Sequence, residues 1–363
     1  MEHELENYSA YLQIAKKLSK VQQGVPLDKD GNPSIRYLKY LSLMYNPEDA
    51  EIIQHLEVFP KAVRISKLAR ELGLDKNELK NRLDNLVNRG FLQKLGSSYS
   101  IPPPLLVYDA PFILKVNYED NKENTIKQAI ISREFFEKEG YYKSWETSKK
   151  GTPRSRILTV SEKIEVKRNI LPIEEIYSII DMNDTFAVVP CPCRMRAELE
   201  GIRKCKDKYP IHNCIIVGPM AEGVLNINDP VIKKANKDEI KKLVREASEI
   251  GLVHTTDNYA GQTNILCNCC ECCCGLLAGL TRVGLDNPRA IAKANFIANV
   301  NPENCIACGT CYERCKFNAI TIEKIAIIDD EKCMGCGLCA YKCPENAITM
   351  KRIIRERIPG AEL

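Results

Sequence analysis

The chain has 363 residues, 44% of them apolar, which is enough for two or three domains with their own cores. Its 52 basic and 48 acidic residues nearly cancel, leaving +4, so charge gives no global case for a polyanionic partner. No apolar run approaches the roughly 18–20 residues of a membrane helix, and the acidic start Met1-Glu2-His3-Glu4 lacks the apolar core of a secretion signal. A cytoplasmic location is expected. Thiols stay reduced there, so eighteen cysteines need a purpose other than disulfides, and metal or cluster ligation is the leading one. None lies before Cys191; ten lie from Cys191 to Cys274 and eight from Cys305 to Cys343.

In chain order, apolar spacing predicts a helix over 2–22, with Leu5, Tyr8, Leu12, Ala15 and Leu18 on one stripe. Residues 34–101 read as helices near 35–44, 47–57, 64–72 and 75–89, broken at Gly73 and Gly90, then a hairpin of 91–95 with 98–101. The pattern resembles a winged helix-turn-helix. The candidate recognition helix, 75–89, sets Lys76, Lys80, Arg82 and Arg89 against Asp75, Glu78 and Asp84. That balance is poor for a groove lined with phosphates, so protein docking is favoured over DNA binding. Pro102-Pro103-Pro104 opens a connector with a polar helix over 123–138 and a basic stretch from Thr147 to Arg156.

Beyond 157 the pattern becomes mixed. Strands are expected at 156–160, 185–189, 215–217, 252–254 and 264–266, and helices at 172–182 and 236–250, the latter stopped by Gly251. The central thiols are Cys191, Cys193, Cys205, Cys214, Cys267, Cys269, Cys270, Cys272, Cys273 and Cys274. Extended backbone would put Cys191 and Cys193 on one face. It would also put Cys270, Cys272 and Cys274 opposite Cys267, Cys269 and Cys273, unless a turn regroups them. All-thiolate surroundings suit one or two further [4Fe–4S] clusters; structural zinc and a dithiol redox centre are the alternatives. His254 reads as a buried structural histidine, and Arg194 and Arg196 as donors to cluster sulfur, anion binders or surface residues.

Two segments then repeat at an offset of 28. Cys305, Cys308, Cys311 and Cys315 map onto Cys333, Cys336, Cys339 and Cys343, Gly309 onto Gly337, and Asn318-Ala319-Ile320 onto Asn346-Ala347-Ile348. Each half reads C-x2-C-x2-C-x3-C. Such a loop wraps three corners of a cubane, and the fourth cysteine is free to reach elsewhere. Zinc sites usually pair two separated C-x2-C knuckles and fit this pattern poorly.

Residues 301–352 resemble bacterial two-cluster ferredoxins. The resemblance implies a βαββαβ fold and two crossed ligand sets: Cys305, Cys308, Cys311 and Cys343 for one [4Fe–4S] cluster, and Cys333, Cys336, Cys339 and Cys315 for the other. Lys316 departs from it, standing where that family has proline. From about 157 onward, the residues Cys191-Pro192-Cys193-Arg194, Cys205, Cys214, Gly218, Gly251-Leu252-Val253-His254, Asn258 and Cys267 to Cys274 resemble 4Fe–4S ferredoxin-type proteins of anaerobes, and the front of the chain is similar too.

The expected fold is multidomain α+β. It comprises a winged-helix-like domain over 1–105, a connector over 106–156, a cysteine-rich α/β domain over 157–298, the ferredoxin module over 299–352 and a tail over 353–363. The expected function is iron–sulfur electron transfer with redox partner proteins. A reductase centred on the middle cysteines and a redox-responsive regulator are the alternatives. No phosphate-cradling loop or dinucleotide fingerprint appears, so flavin and nicotinamide are not expected. The partner classes considered are redox proteins and a further copy of the chain in a homo-oligomer, with nucleic acid disfavoured.

Overall fold

The computed structural model describes residues 8–148, 151–160, 175–227, 229–258, 263–284 and 290–353. The chain is mixed helix and sheet and divides into two compact units. The first comprises Met1–Ser144, Pro190–Ile202 and Ile227–Val231; the second comprises Trp145–Val189, Arg203–Asn226 and Ile232–Leu363. No helix of the described residues is long and apolar enough to cross a membrane.

The first unit opens with helices Ser9–Leu18, Ile35–Met44 and Pro47–Ile53. The helix expected over 2–22 stops at Leu18, and the backbone then turns through positive φ at Gln23 and Gly24; residues 1–7 lie outside the described set. Ser34 and Asn46 cap the next two helices by accepting from Tyr37 N–H and Asp49 N–H. The helix expected to reach residue 57 ends at Ile53, because Glu57 instead accepts from Ile101 N–H. Strand β1 (Val63–Arg64) leads into helices Ile65–Leu72 and Lys76–Asn88. A hairpin follows, of β2 (Gln93–Leu95) and β3 (Ser98–Ser100), in a sheet of order β1-β3-β2. Helix Lys122–Arg133 continues into a π-helical turn, Glu134–Lys138, whose Phe135 meets Tyr37, Tyr40, Tyr108 and Tyr141 at centroid distances of 5.6–5.8 Å.

Helix Pro192–Leu199 belongs to this unit. Its Arg196 guanidinium lies 3.9 Å from the centre of the Tyr108 ring and 4.3 Å from that of Phe112. It donates to Tyr108 O at 3.0 Å and to Asp109 Oδ1 at 3.1 Å. Such a desolvated cation–π stack is worth about 2 kcal/mol, so Arg196 anchors its helix and is no surface residue. Arg194 is likewise fully buried.

The second unit holds a six-stranded sheet of order β4-β8-β9-β6-β5-β7. Its strands are β4 (Ser155–Ile157), β5 (Phe186–Pro190), β6 (His212–Val217), β7 (Lys233–Ala235), β8 (Val253–Asp257) and β9 (Ile265–Cys269). β9 runs antiparallel to both β6 and β8, with Ile215 opposite Leu266 and Val253 opposite Cys269. Helix Lys237–Ile250, held by an Asn236–Glu239 capping box and stopped by Gly251 at φ +88°, buries Ile240, Val244 and Ala247. The strand expected over 156–160 ends at Ile157, because Thr159 and Val160 instead hydrogen-bond to the carbonyls of Gly335 and Cys336. The helix expected over 172–182 is described from Ile176 to Asp181, and residues 172–174 lie outside the described set.

The C-terminal part runs β10 (Phe296–Val300), helix Thr310–Arg314, β11 (Ile320–Ile322), β12 (Ala326–Ile328), helix Leu338–Tyr341 and β13 (Ile348–Arg352). β10 pairs antiparallel with β13, and β11 with β12. One core joins these elements to Ile157, Val160 and Val253 of the sheet region.

Candidate functional site

Each half of the C-terminal repeat surrounds a cavity. One, of about 330 Å³, is lined by Cys305, Cys308 and Cys311 of the first half and by Cys343 of the second. The other, of about 360 Å³, is lined by Cys333, Cys336 and Cys339 of the second half and by Cys315 of the first. Apolar side chains make up much of both walls, Ile322, Ala326 and Ile348 in one, Phe317, Ile328 and Met350 in the other, with Asn304, Thr310 and Glu345 beside the first and Arg314 beside the second. Four thiols around a largely apolar hollow fit a cubane whose irons each need one thiolate. Each fourth cysteine ends or follows a short helix, Cys315 after Thr310–Arg314 and Cys343 after Leu338–Tyr341, and so leaves its own loop.

The backbone repeats as the sequence does. Positive φ occurs at Ala307 and Gly335, at Gly309 and Gly337, and at Asn318 and Asn346. Backbone N–H groups approach the sulfurs: Ala319 donates to Cys315 and Ala347 to Cys343, both at 3.3 Å, and Ala326 to Cys305 at 3.4 Å. Such bonds stabilise thiolate charge and tune cluster potential. The two cavities differ in exposure. Cys308 is exposed between Ile306, 63% exposed, and Tyr312, 57% exposed, whereas Cys333 and Cys339 are buried. Hydrogen bonding to Thr310 holds the Cys308 thiol below its usual range, while burial pushes Cys336 up to about 12 and Cys339 up as well.

In the central block, the strand ends at Cys269 and a turn follows, so simple alternation does not hold. The turn brings Cys270, Cys272 and Cys273 to Cys205, and all four sulfurs lie within 4.8 Å of one another. Cys273 Sγ is 3.7 Å from Cys205 Sγ and 3.6 Å from Cys272 Sγ. Contact with Cys270 and burial push Cys205 and Cys273 up, while the Arg203 guanidinium pulls Cys205 the other way. The remaining central thiols of the second unit form a chain: Cys214 and Cys269 each bond to Cys267, and Cys274 Sγ donates to Cys269 Sγ at 3.0 Å. Thus Cys273 and Cys274 stand in each other's expected groups, because the turn reverses the face on which they emerge.

Cys191 and Cys193 lie in the first unit, where Pro192 occupies the first turn of a helix whose N-cap is Cys191. The extended arrangement expected of them is therefore replaced by a helix start, which tolerates the missing proline N–H. His254 is buried, with Nε2 2.7 Å from Ser248 Oγ and Nδ1 2.7 Å from Asn268 Oδ1, so both ring nitrogens are engaged by protein. Lys316, the residue departing from the ferredoxin pattern, donates to Glu271 at 3.0 Å and to Tyr209 OH at 3.2 Å. Burial opposes its charge, but Glu271 and Tyr209 outweigh that and push its pKa up. Glu271 sits inside the cysteine turn and Cys315 precedes Lys316, so one ion pair links the two cysteine regions. Sequence reading missed this link and the role of Arg203; the only advance signal was lysine where the family has proline.

Residues 298–350 match the family model of the 4Fe-4S dicluster domain. Comparison with curated proteins and with solved structures found no match. The chain carries a ferredoxin-type 4Fe–4S domain, which supports an iron–sulfur electron-transfer role.

Proposed function

We propose that the protein is an electron carrier with two [4Fe–4S] clusters in its C-terminal module, held by Cys305, Cys308, Cys311 and Cys343 and by Cys315, Cys333, Cys336 and Cys339. The observation carrying this reading is the pair of cavities, each lined by three cysteines of one repeat and one of the other. When bound, each cubane supplies reversible one-electron chemistry. The chain's own residues do the rest. Ala319, Ala326 and Ala347 direct N–H dipoles at sulfur. Phe317, Ile328 and Met350 exclude water from the second cavity. Ile306 and Tyr312 form an exposed apolar rim beside Cys308, the end at which a redox partner protein docks.

A DNA-binding regulator is less well supported. Of the four cations on helix Lys76–Asn88 and its end, Lys80 pairs with Asp84 at 2.8 Å, and Arg82 pairs with Glu48 at 3.0 Å and with Asp49. Arg89 stacks 4.4 Å from the Phe91 ring centre. Three of the four are engaged within the fold, which weakens the positive field the helix offers a phosphate backbone.

The test is anaerobic purification with iron and labile sulfide counted per chain, on the native protein and on Cys343→Ala. About eight irons mean two cubanes and about twelve mean three. Cys343→Ala is expected to weaken the cluster of the first repeat's cysteines. Colourless protein without sulfide overturns the reading, and loss confined to the second repeat's cluster overturns the crossed assignment.

A further inference from the structure

Two kinds of cysteine quartet coexist in the second unit. Around the C-terminal cavities, the thiols line hollows of about 330 and 360 Å³. The sulfurs of Cys205, Cys270, Cys272 and Cys273 instead all lie within 4.8 Å of one another, with two separations of 3.7 and 3.6 Å. Among the described residues, this is the one group of potential ligand atoms so closely drawn together.

The separations discriminate between cofactors. A zinc ion takes four thiolates at about 2.3 Å in a tetrahedron, whose edge is then about 3.8 Å. A cubane puts four irons and four sulfides between its thiolates and holds them much further apart, since each sulfur binds a different outer corner. The quartet is also too wide for a disulfide, whose sulfurs stand about 2 Å apart. We propose that Cys205, Cys270, Cys272 and Cys273 form a mononuclear tetrathiolate site for one zinc ion, separate from the iron–sulfur clusters.

The surroundings are those of a built site. Cys205, Cys270 and Cys273 are buried and Cys272 is half-buried, which closes the site to a fifth ligand, as in structural rather than catalytic zinc. Binding Zn²⁺ displaces four thiol protons and leaves a net charge of −2. The Arg203 guanidinium, bonded to Cys205, offsets part of that charge. The turn carrying three ligands is tied down independently: Thr281 Oγ1 donates to Glu271 O at 2.8 Å, Arg282 to Cys274 O at 2.7 Å, and Lys316 to the Glu271 carboxylate. Such outer contacts orient metal ligands. One ion would staple the segment before β6 to the turn after β9, positions 68 residues apart in the chain.

The inference does not depend on how many iron–sulfur clusters the protein carries, and one experiment separates the two. The full chain is purified anaerobically from medium containing both metals, and zinc, iron and sulfide are counted per chain in the native protein and in Cys205→Ala. Zinc K-edge absorption spectroscopy is recorded on the native protein. The expected result is about one zinc per chain with a single shell of four sulfurs at about 2.3 Å. In the variant, zinc is expected to fall at least fivefold while the C-terminal clusters' iron and sulfide stay. The proposal is overturned by native protein without stoichiometric zinc, by a zinc shell of nitrogen or oxygen, by zinc retained in the variant, or by a variant losing about four irons and four sulfides instead. Should Cys205→Ala fail to fold, the native zinc count and sulfur shell decide the matter alone.

Discussion

Ala307 and Gly335 occupy equivalent places in the C-terminal repeat, and both have positive φ, +53° and +75°. The first half tolerates a side chain there; the second does not. A Cβ on Gly335 would come within 2.2 Å of the Phe296 carbonyl oxygen and 3.1 Å of Ala294 Cβ. By contrast, a Cβ on Gly309, at φ +80°, meets nothing within 4 Å. Gly335→Ala is therefore expected to destabilise by on the order of 3 kcal/mol, combining strain with a backbone clash. Gly309→Ala bears only the left-handed penalty, roughly 1–2 kcal/mol. The temperature at which visible cluster absorbance is lost should drop further for the first variant, and equal drops would refute the steric argument. The repeat that brackets these positions was plain in the sequence. The difference between its halves was not, because it is set by Phe296, which lies outside the motif.

Among the elements, helices with capping residues were legible: Asn236 and Glu239, or Asp75 and Gly73, mark their ends by local chemistry alone. The cysteine turn was not. Strand alternation groups the thiols correctly through Cys272, but Cys273 and Cys274 exchange places in a turn that Lys316 and Arg282 contact from elsewhere in the chain. A second non-local element is the lock between helix Lys76–Asn88 and its hairpin. Asp84 accepts from Lys80 at 2.8 Å, Lys94 at 2.7 Å and Tyr99 at 2.6 Å. Burial alone would raise the Asp84 pKa, but the three donors prevail and hold it at about 2. A carboxylate depressed in the folded state adds stability that is present above its unfolded value and lost as pH falls through the folded one. Amide protection over residues 76–100 should therefore weaken between about pH 4 and pH 2. Asp84→Asn should remove that step while lowering protection at neutral pH. Hydrogen exchange followed by mass spectrometry measures both, and an unchanged step in the variant would assign it to another group.

At the scale of the molecule, composition alone separated a cysteine-free front from two cysteine-rich blocks, and the dicluster module was legible from spacing. What sequence could not show is that Pro190–Ile202, carrying Cys191 and Cys193, belongs with the front, where Arg196 is buried among Tyr108 and Phe112. Aromatic packing of Phe135 and Tyr141 likewise carries the first unit past the proline run at 102–104. The uneven cover of the two C-terminal cavities has its own outcome in air. Dioxygen attacking from solvent meets the sulfur of Cys308 long before those of Cys333 and Cys339. Aerated protein should bleach in two stages, surrendering about four irons early and the rest late. Replacing Ile306 with a charged residue should shorten the early stage and spare the late one; uniform bleaching would show that both halves corrode alike.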